Sequence, residues 1–151
     1  MQFTVGDVIR WDNYPYPKSG DIKARWFIYL GRTSIVSTPV FAYLCTTTTQ
    51  TAEFAPGQAR GNHACRRFEA RLFPAFEQDC ILDFDEDIHP VTDAMLDSCR
   101  EQIAVKGRLD KDTMRNIYKQ FFRPGVVSRM VMRDIQDSFN RDGITGLKRP
   151  K

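Results

Sequence analysis

The sequence predicts a mainly β chain with added α structure: a small, strongly curved β-barrel followed by a C-terminal helical extension. Three observations predict it. Five or six short β-prone segments separated by turn residues precede Pro90, amphipathic helical spacing follows it, and 151 residues suffice for one full hydrophobic core but not two. Apolar residues at 42% and charged residues at 27% are ordinary for a globular chain, which argues against disorder as the main state.

The elements follow in order. Phe3 to Trp11 is apolar and β-prone around Gly6-Asp7, and the Pro- and Gly-rich run from Asn13 to Gly20 breaks it. Trp26 to Leu30 is an aromatic and β-branched run stopped by Gly31, and Val40 to Thr49 is a second. These two are expected to pair as a hairpin. Residues 55–62 read as a mobile loop, Ala64 to Leu72 as a half-exposed strand, and Ile81 to Phe84 as a short strand with acidic flanks.

After Pro90, Thr92 or Asp93 can cap a helix with Met95, Leu96, Cys99 and Ile103 on one face. Asp110 or Asp112 can cap the next, whose stripe is Met114, Ile117, Tyr118, Phe121 and Phe122. A last helix over about 126–140 carries Val127, Val131, Ile135 and Phe139, with Gly143 as its stop. The expected organisation is a barrel with its closing helix over 1–104, a helical hairpin over 105–143 and a basic tail over 144–151, all in one compact domain.

The longest apolar runs fall far short of the ~20 residues that a membrane-spanning helix needs. Residues 1–8 show neither a basic start nor an apolar h-region, so a cytoplasmic protein is expected. Cys45, Cys65, Cys80 and Cys99 form no C-x-x-C pair, and His63 and His89 are the only imidazoles. Free thiols are therefore expected, with no metal and no cofactor. The net charge of +3 is unevenly distributed, with segment sums of +4 over residues 1–76, −8 over 77–101 and +7 over 102–151. That pattern suits an anionic partner and equally suits solvated faces that balance one another.

No G-x-S-x-G, Walker A, G-x-G-x-x-G or H-E-x-x-H motif occurs. The Asp83 to Asp87 run fails as a calcium loop, because Ile88 stands where the turn Gly belongs and Ala94 where the bidentate Glu belongs. What remains is Lys23-Ala24-Arg25 at the start of one strand and Thr46 to Gln50 at the end of the next. Paired strands would bring a guanidinium beside hydroxyls at a sheet rim. By residue type alone, Arg25 is also an ordinary solvated strand-start residue, and the threonines are ordinary β-formers.

Gly6-Asp7-Val8-Ile9, then Asp12-x-x-Pro15, then Lys23-x-Arg25 before an apolar strand, resembles the opening of the MazF/PemK toxin endoribonucleases. Thr48-Thr49-Gln50 stands where that family ends its next strand, and Phe76 to Leu82 resembles its later F-x-x-D-S-x-I-L segment. Trp26 departs from the pattern, which has Pro there, and residues 105–151 exceed the family's usual length.

The resemblance implies an SH3-like barrel and a metal-independent ribonuclease in which the substrate's own 2′-hydroxyl attacks the adjacent phosphate. It makes Arg25 and Thr48 the catalytic pair, with Arg25 stabilising charge, since a guanidinium is a poor proton donor. Tyr14, Tyr16, Lys18, Lys23, Thr46 and Gln50 are the implied substrate-binding residues, the tyrosines by stacking bases and the lysines by contacting phosphates. The implied partners are single-stranded RNA, a small antitoxin protein and a second copy of the chain. A non-catalytic SH3-like binding module is the alternative, and a cysteine-based enzyme a third possibility.

Overall fold

The computed structural model describes residues 1–15, 23–34, 39–123 and 127–150. Seven strands form one antiparallel sheet: β1 Asp7–Trp11, β2 Arg25–Arg32, β3 Phe41–Thr48, β4 Cys65–Phe68, β5 Cys80–Asp83, β6 His89–Thr92 and β7 Ile103–Arg108. Among the described residues three α-helices accompany it, α1 Asp93–Ser98, α2 Lys111–Phe121 and α3 Arg129–Arg141.

The strand order is β4-β5-β3-β2-β1-β7, and β6 also pairs with β3. One edge of β3 pairs with β2, while the other is divided between β6 at Phe41–Leu44 and β5 at Thr47–Thr48. Register shifts between Val8 and Ile9 and between Tyr29 and Gly31 bend the sheet, as bulges do. Among the described residues β4 and β7 do not pair, so the sheet is curved but open, where a closed barrel was expected.

The β2–β3 pairing follows the sequence expectation. The chain after Pro90 does not, because α1 ends at Ser98 and Ile103 begins β7, which pairs with β1. The 3.6-residue pattern of Met95, Leu96 and Cys99 is real but short. Ile103-Ala104-Val105 instead satisfies the backbone groups of β1's free edge, and that tertiary demand overrides local periodicity. The expected boundary at residue 104 therefore falls inside a strand of the sheet.

Thr92, Asp110 and Ser128 cap the three helices, each side chain accepting an amide three residues on. The α2 stripe is buried from Met114 to Phe121, with Phe84 edge-on to Phe121 at 5.0 Å and Tyr118 against Phe139 of α3 at 5.5 Å. Residues 124–126, between the two helices, lie outside the described residues.

Helix α3 docks on β2 where Gly31 has φ +143, and a Cβ there would lie 2.5 Å from Cβ of Ser138. The Ser138 hydroxyl accepts the Arg32 amide at 3.0 Å and donates to the Arg32 carbonyl at 3.3 Å. The expected basic tail is packed rather than loose. Ile144 is buried, Tyr118 donates its hydroxyl to the Lys148 carbonyl at 2.7 Å, and Gln136 donates to that of Leu147.

Candidate active site

The register between β2 and β3 sets Trp26 opposite Thr47 and Phe27 opposite Thr46. Continued by one residue, it sets Arg25 opposite Thr48. Opposed residues of antiparallel strands project from the same face, so Arg25 and Thr48 are cross-strand neighbours at the end of the sheet. A cleft of about 410 Å³ opens there, lined by both residues.

Lys23, Thr46 and Gln50 line the same cleft, so five of the eight residues singled out from the sequence meet in one place. Tyr16 and Lys18 lie outside the described residues. Tyr14 is elsewhere: it is 3% exposed, packed edge-on against Trp11 at 5.0 Å and against Phe27 at 5.0 Å. A ring enclosed in the core cannot stack an RNA base. Its hydroxyl instead shares a hydrogen bond with Nδ1 of His89 at 3.4 Å, and Nε2 of His89 shares one with Oγ1 of Thr46 at 3.2 Å. His89, the first residue of β6, thus links the core to the cleft floor.

The threonine hydroxyls are oriented. Oγ1 of Thr48 accepts the Gln50 amide at 3.1 Å, which uses an oxygen lone pair and leaves the hydroxyl proton free to donate into the cleft. Among the described residues, the Arg25 side chain makes no hydrogen bond or ion pair, and the residue is half-buried. A partly desolvated guanidinium without a protein acceptor suits an external anion.

Sequence reasoning did not find Arg60, Trp26, Phe76, Glu77, Gln78, Cys80 and Glu86, which also line the cleft. Arg60 comes from the segment expected to be a mobile loop, yet it is fixed by Glu53 at 3.1 Å, by Asp83 at 3.7 Å and by the Phe54 ring 5.4 Å from its guanidinium carbon. Glu77 faces Arg10 at 3.6 Å and Lys106 at 3.4 Å. With Arg60 and Glu77 compensated by their neighbours, Lys23 and Arg25 are, among the described residues, the cleft cations that no ion pair engages. No local sequence signal marks these distant contributors, which only the strand order assembles.

Burial pushes the Cys80 thiol up to about 11, so it is protonated near neutral pH. Cys45 is raised further by complete burial. Neither is a thiolate nucleophile. His63, Asp83 and Asp85 place three donor atoms within 4.8 Å of one another. Asp83 is met by His63 at 2.7 Å and Arg60 at 3.7 Å, and Asp85 by the Ala64 amide at 2.8 Å and Arg123 at 3.0 Å. These bonds hold the Asp85 carboxyl below its ordinary range, and the cluster is accounted for as a cross-link between β4, β5 and the end of α2.

The segment that carries the Gly6-Asp7 motif has a structural task. Gly6 has φ +96, and Asp7, almost fully buried, accepts the Thr4 amide at 2.8 Å and pairs with Arg108 of β7 at 2.9 Å. The motif thus fixes β1 to β7 and does not reach the cleft. Comparison of the chain with protein-family models, with curated proteins and with solved structures finds no match.

Proposed function

We propose that the protein is a metal-independent endoribonuclease of the toxin type, built on an SH3-like curved sheet and acting on single-stranded RNA. The observation that carries this reading is the juxtaposition of Arg25 and Thr48 across β2 and β3 in one cleft. In the proposed reaction the 2′-oxygen bonds to phosphorus, the bond from phosphorus to the 5′-oxygen breaks, and the products are a 2′,3′-cyclic phosphate and a 5′-hydroxyl.

Arg25 is placed to bind two phosphate oxygens with its fork, and Thr48 to donate its free proton to the same developing charge. The 2′-hydroxyl proton requires an acceptor and the leaving oxygen a donor. Glu77 and Glu86 are the cleft's carboxylates and fit the first role, and solvent supplies the second. A small antitoxin protein and a second copy of the chain are the partners proposed with this activity.

The test is cleavage of single-stranded RNA in EDTA, with end-group analysis of the fragments. Arg25→Ala is expected to reduce cleavage at least a hundredfold and to relieve growth inhibition on expression, and Thr48→Val to reduce cleavage at least tenfold. RNA left intact by the wild type, together with growth-neutral expression, would favour a non-catalytic binding module.

A further inference from the structure

Four consecutive side chains of β2, from Phe27 to Leu30, are at most 3% exposed. Trp26, at the head of the same run, is only half-buried and lines the cleft. Its indole packs against the buried Phe76 with ring centroids 6.5 Å apart and planes inclined at 47°. Phe76 thus supports one side of the indole, and the cleft gives access to it. Gln50 and Gln78, whose amides carry both donors and acceptors, stand at the exposed rim of the same space.

Strand alternation sends Arg25 and Trp26 to opposite faces of the sheet, one residue apart. Both nonetheless line one cleft, because it opens around the end of β2 and β3. A ligand seated there straddles the sheet end, with an anionic group at the guanidinium and a flat apolar group at the indole. A nucleotide has both.

Resting on the ribonuclease reading, we infer that Trp26 is the stacking platform for one unpaired nucleobase of the substrate. Phe76 backs the indole, the rim amides of Gln50 and Gln78 meet the base edge, and the adjoining phosphate lies at Arg25. The platform therefore selects single-stranded over duplex RNA, because a paired and stacked base has no free face to offer.

Trp11 and Trp26 are the two tryptophans, and Trp11 is fully buried, so ligand-dependent fluorescence reports on Trp26. The probes are single-stranded 2′-O-methyl oligonucleotides, which lack the attacking hydroxyl, in four homopolymer sequences and an abasic version. At least one homopolymer is expected to quench emission, and the abasic strand not to. Trp11→Phe should retain the quenching and Trp26→Phe lose it. By fluorescence polarisation, Trp26→Phe is expected to keep affinity within about threefold, while Trp26→Ala loses tenfold or more.

Circular dichroism of each variant separates loss of fold from loss of stacking. Equal binding by wild type and Trp26→Ala, equal binding of abasic and base-bearing strands, or no binding at all would each overturn the assignment. Unmodified RNA tested in parallel distinguishes the two proposals. Trp26-dependent binding without cleavage sinks the ribonuclease and keeps the platform; cleavage indifferent to Trp26→Ala sinks the platform alone.

Discussion

Thr48 and Cys80 lie in the same cleft with opposite chemical prospects, and their environments decide which is usable. The Thr48 oxygen accepts an amide and keeps a proton to give, whereas burial holds Cys80 as a thiol with its pKa at about 11. Cys65 is exposed and Cys99 partly so. Iodoacetamide near neutral pH is therefore expected to label Cys65 first, then Cys99, and to spare Cys45 and Cys80 until denaturant is added. Mass spectrometry of partly labelled protein checks this, and rapid native labelling of Cys80 would contradict its burial. At this scale Arg25 and Thr48 were legible because two adjacent strands with a fixed register suffice to bring them together. Tyr14 was misplaced because a loop aromatic looks alike whether it faces solvent or, as here, turns back onto Trp11 and Phe27.

The helices were legible through caps and stripes, and the α2 cap yields a pH test. Bonds from the Thr113 hydroxyl and amide hold the Asp110 carboxyl below the ordinary carboxylate range. Because the folded value is the lower one, its charge-dependent stabilisation is complete above the unfolded pKa of ~3.9 and is lost as pH falls through the folded value. Asp110→Ala is expected to cost about 1 kcal/mol near neutrality, whereas Asp110→Asn keeps a cap acceptor and should shift neutral stability little. Urea unfolding at about pH 6 and about pH 3 should show a smaller acid loss for Asp110→Asn than for wild type; identical losses would remove the carboxylate from the cause. Strands β6 and β7 were not legible in the same way. His89-Pro90-Val91-Thr92 has little strand character of its own, and Ile103 to Arg108 becomes a strand only because β1, nearly a hundred residues earlier, has an edge to fill.

For the whole molecule, the division of labour is spatial. Every described residue lining the cleft precedes Asp87, so the described part of the C-terminal third does not enter it. That third is fastened to the far end of β2 through Gly31 and Ser138, and Tyr43 of β3 adds a bond to Asp134 of α3 at 2.8 Å. A methyl group at Gly31 meets Ser138 and requires a backbone conformation foreign to L residues, so Gly31→Ala is expected to cost about 2–4 kcal/mol. Ser138→Gly should recover part of that loss in a double-mutant cycle, and strict additivity would show that the helix contact is not responsible. The antiparallel β character and the helical end were readable in advance. Whether the sheet closes was not, because closure depends on how far two bulges turn the strands.

An open sheet leaves two rows of backbone donors and acceptors that another polypeptide could zip onto. Here the outermost strands carry cations, Arg66 and Arg67 on β4 and Lys106 and Arg108 on β7, beside a half-exposed Val105. Lys106 and Arg108 are paired with Glu77 and Asp7, so it is the approach of two β4 rims, Arg66 and Arg67 against their copies, that brings like charges together and discourages ladder growth. Concentrated salt or a polyanion weakens that repulsion. Colloidal behaviour and the proposed affinity for RNA would thereby be tied to the same ionic conditions, and a buffer chosen for one would set the other.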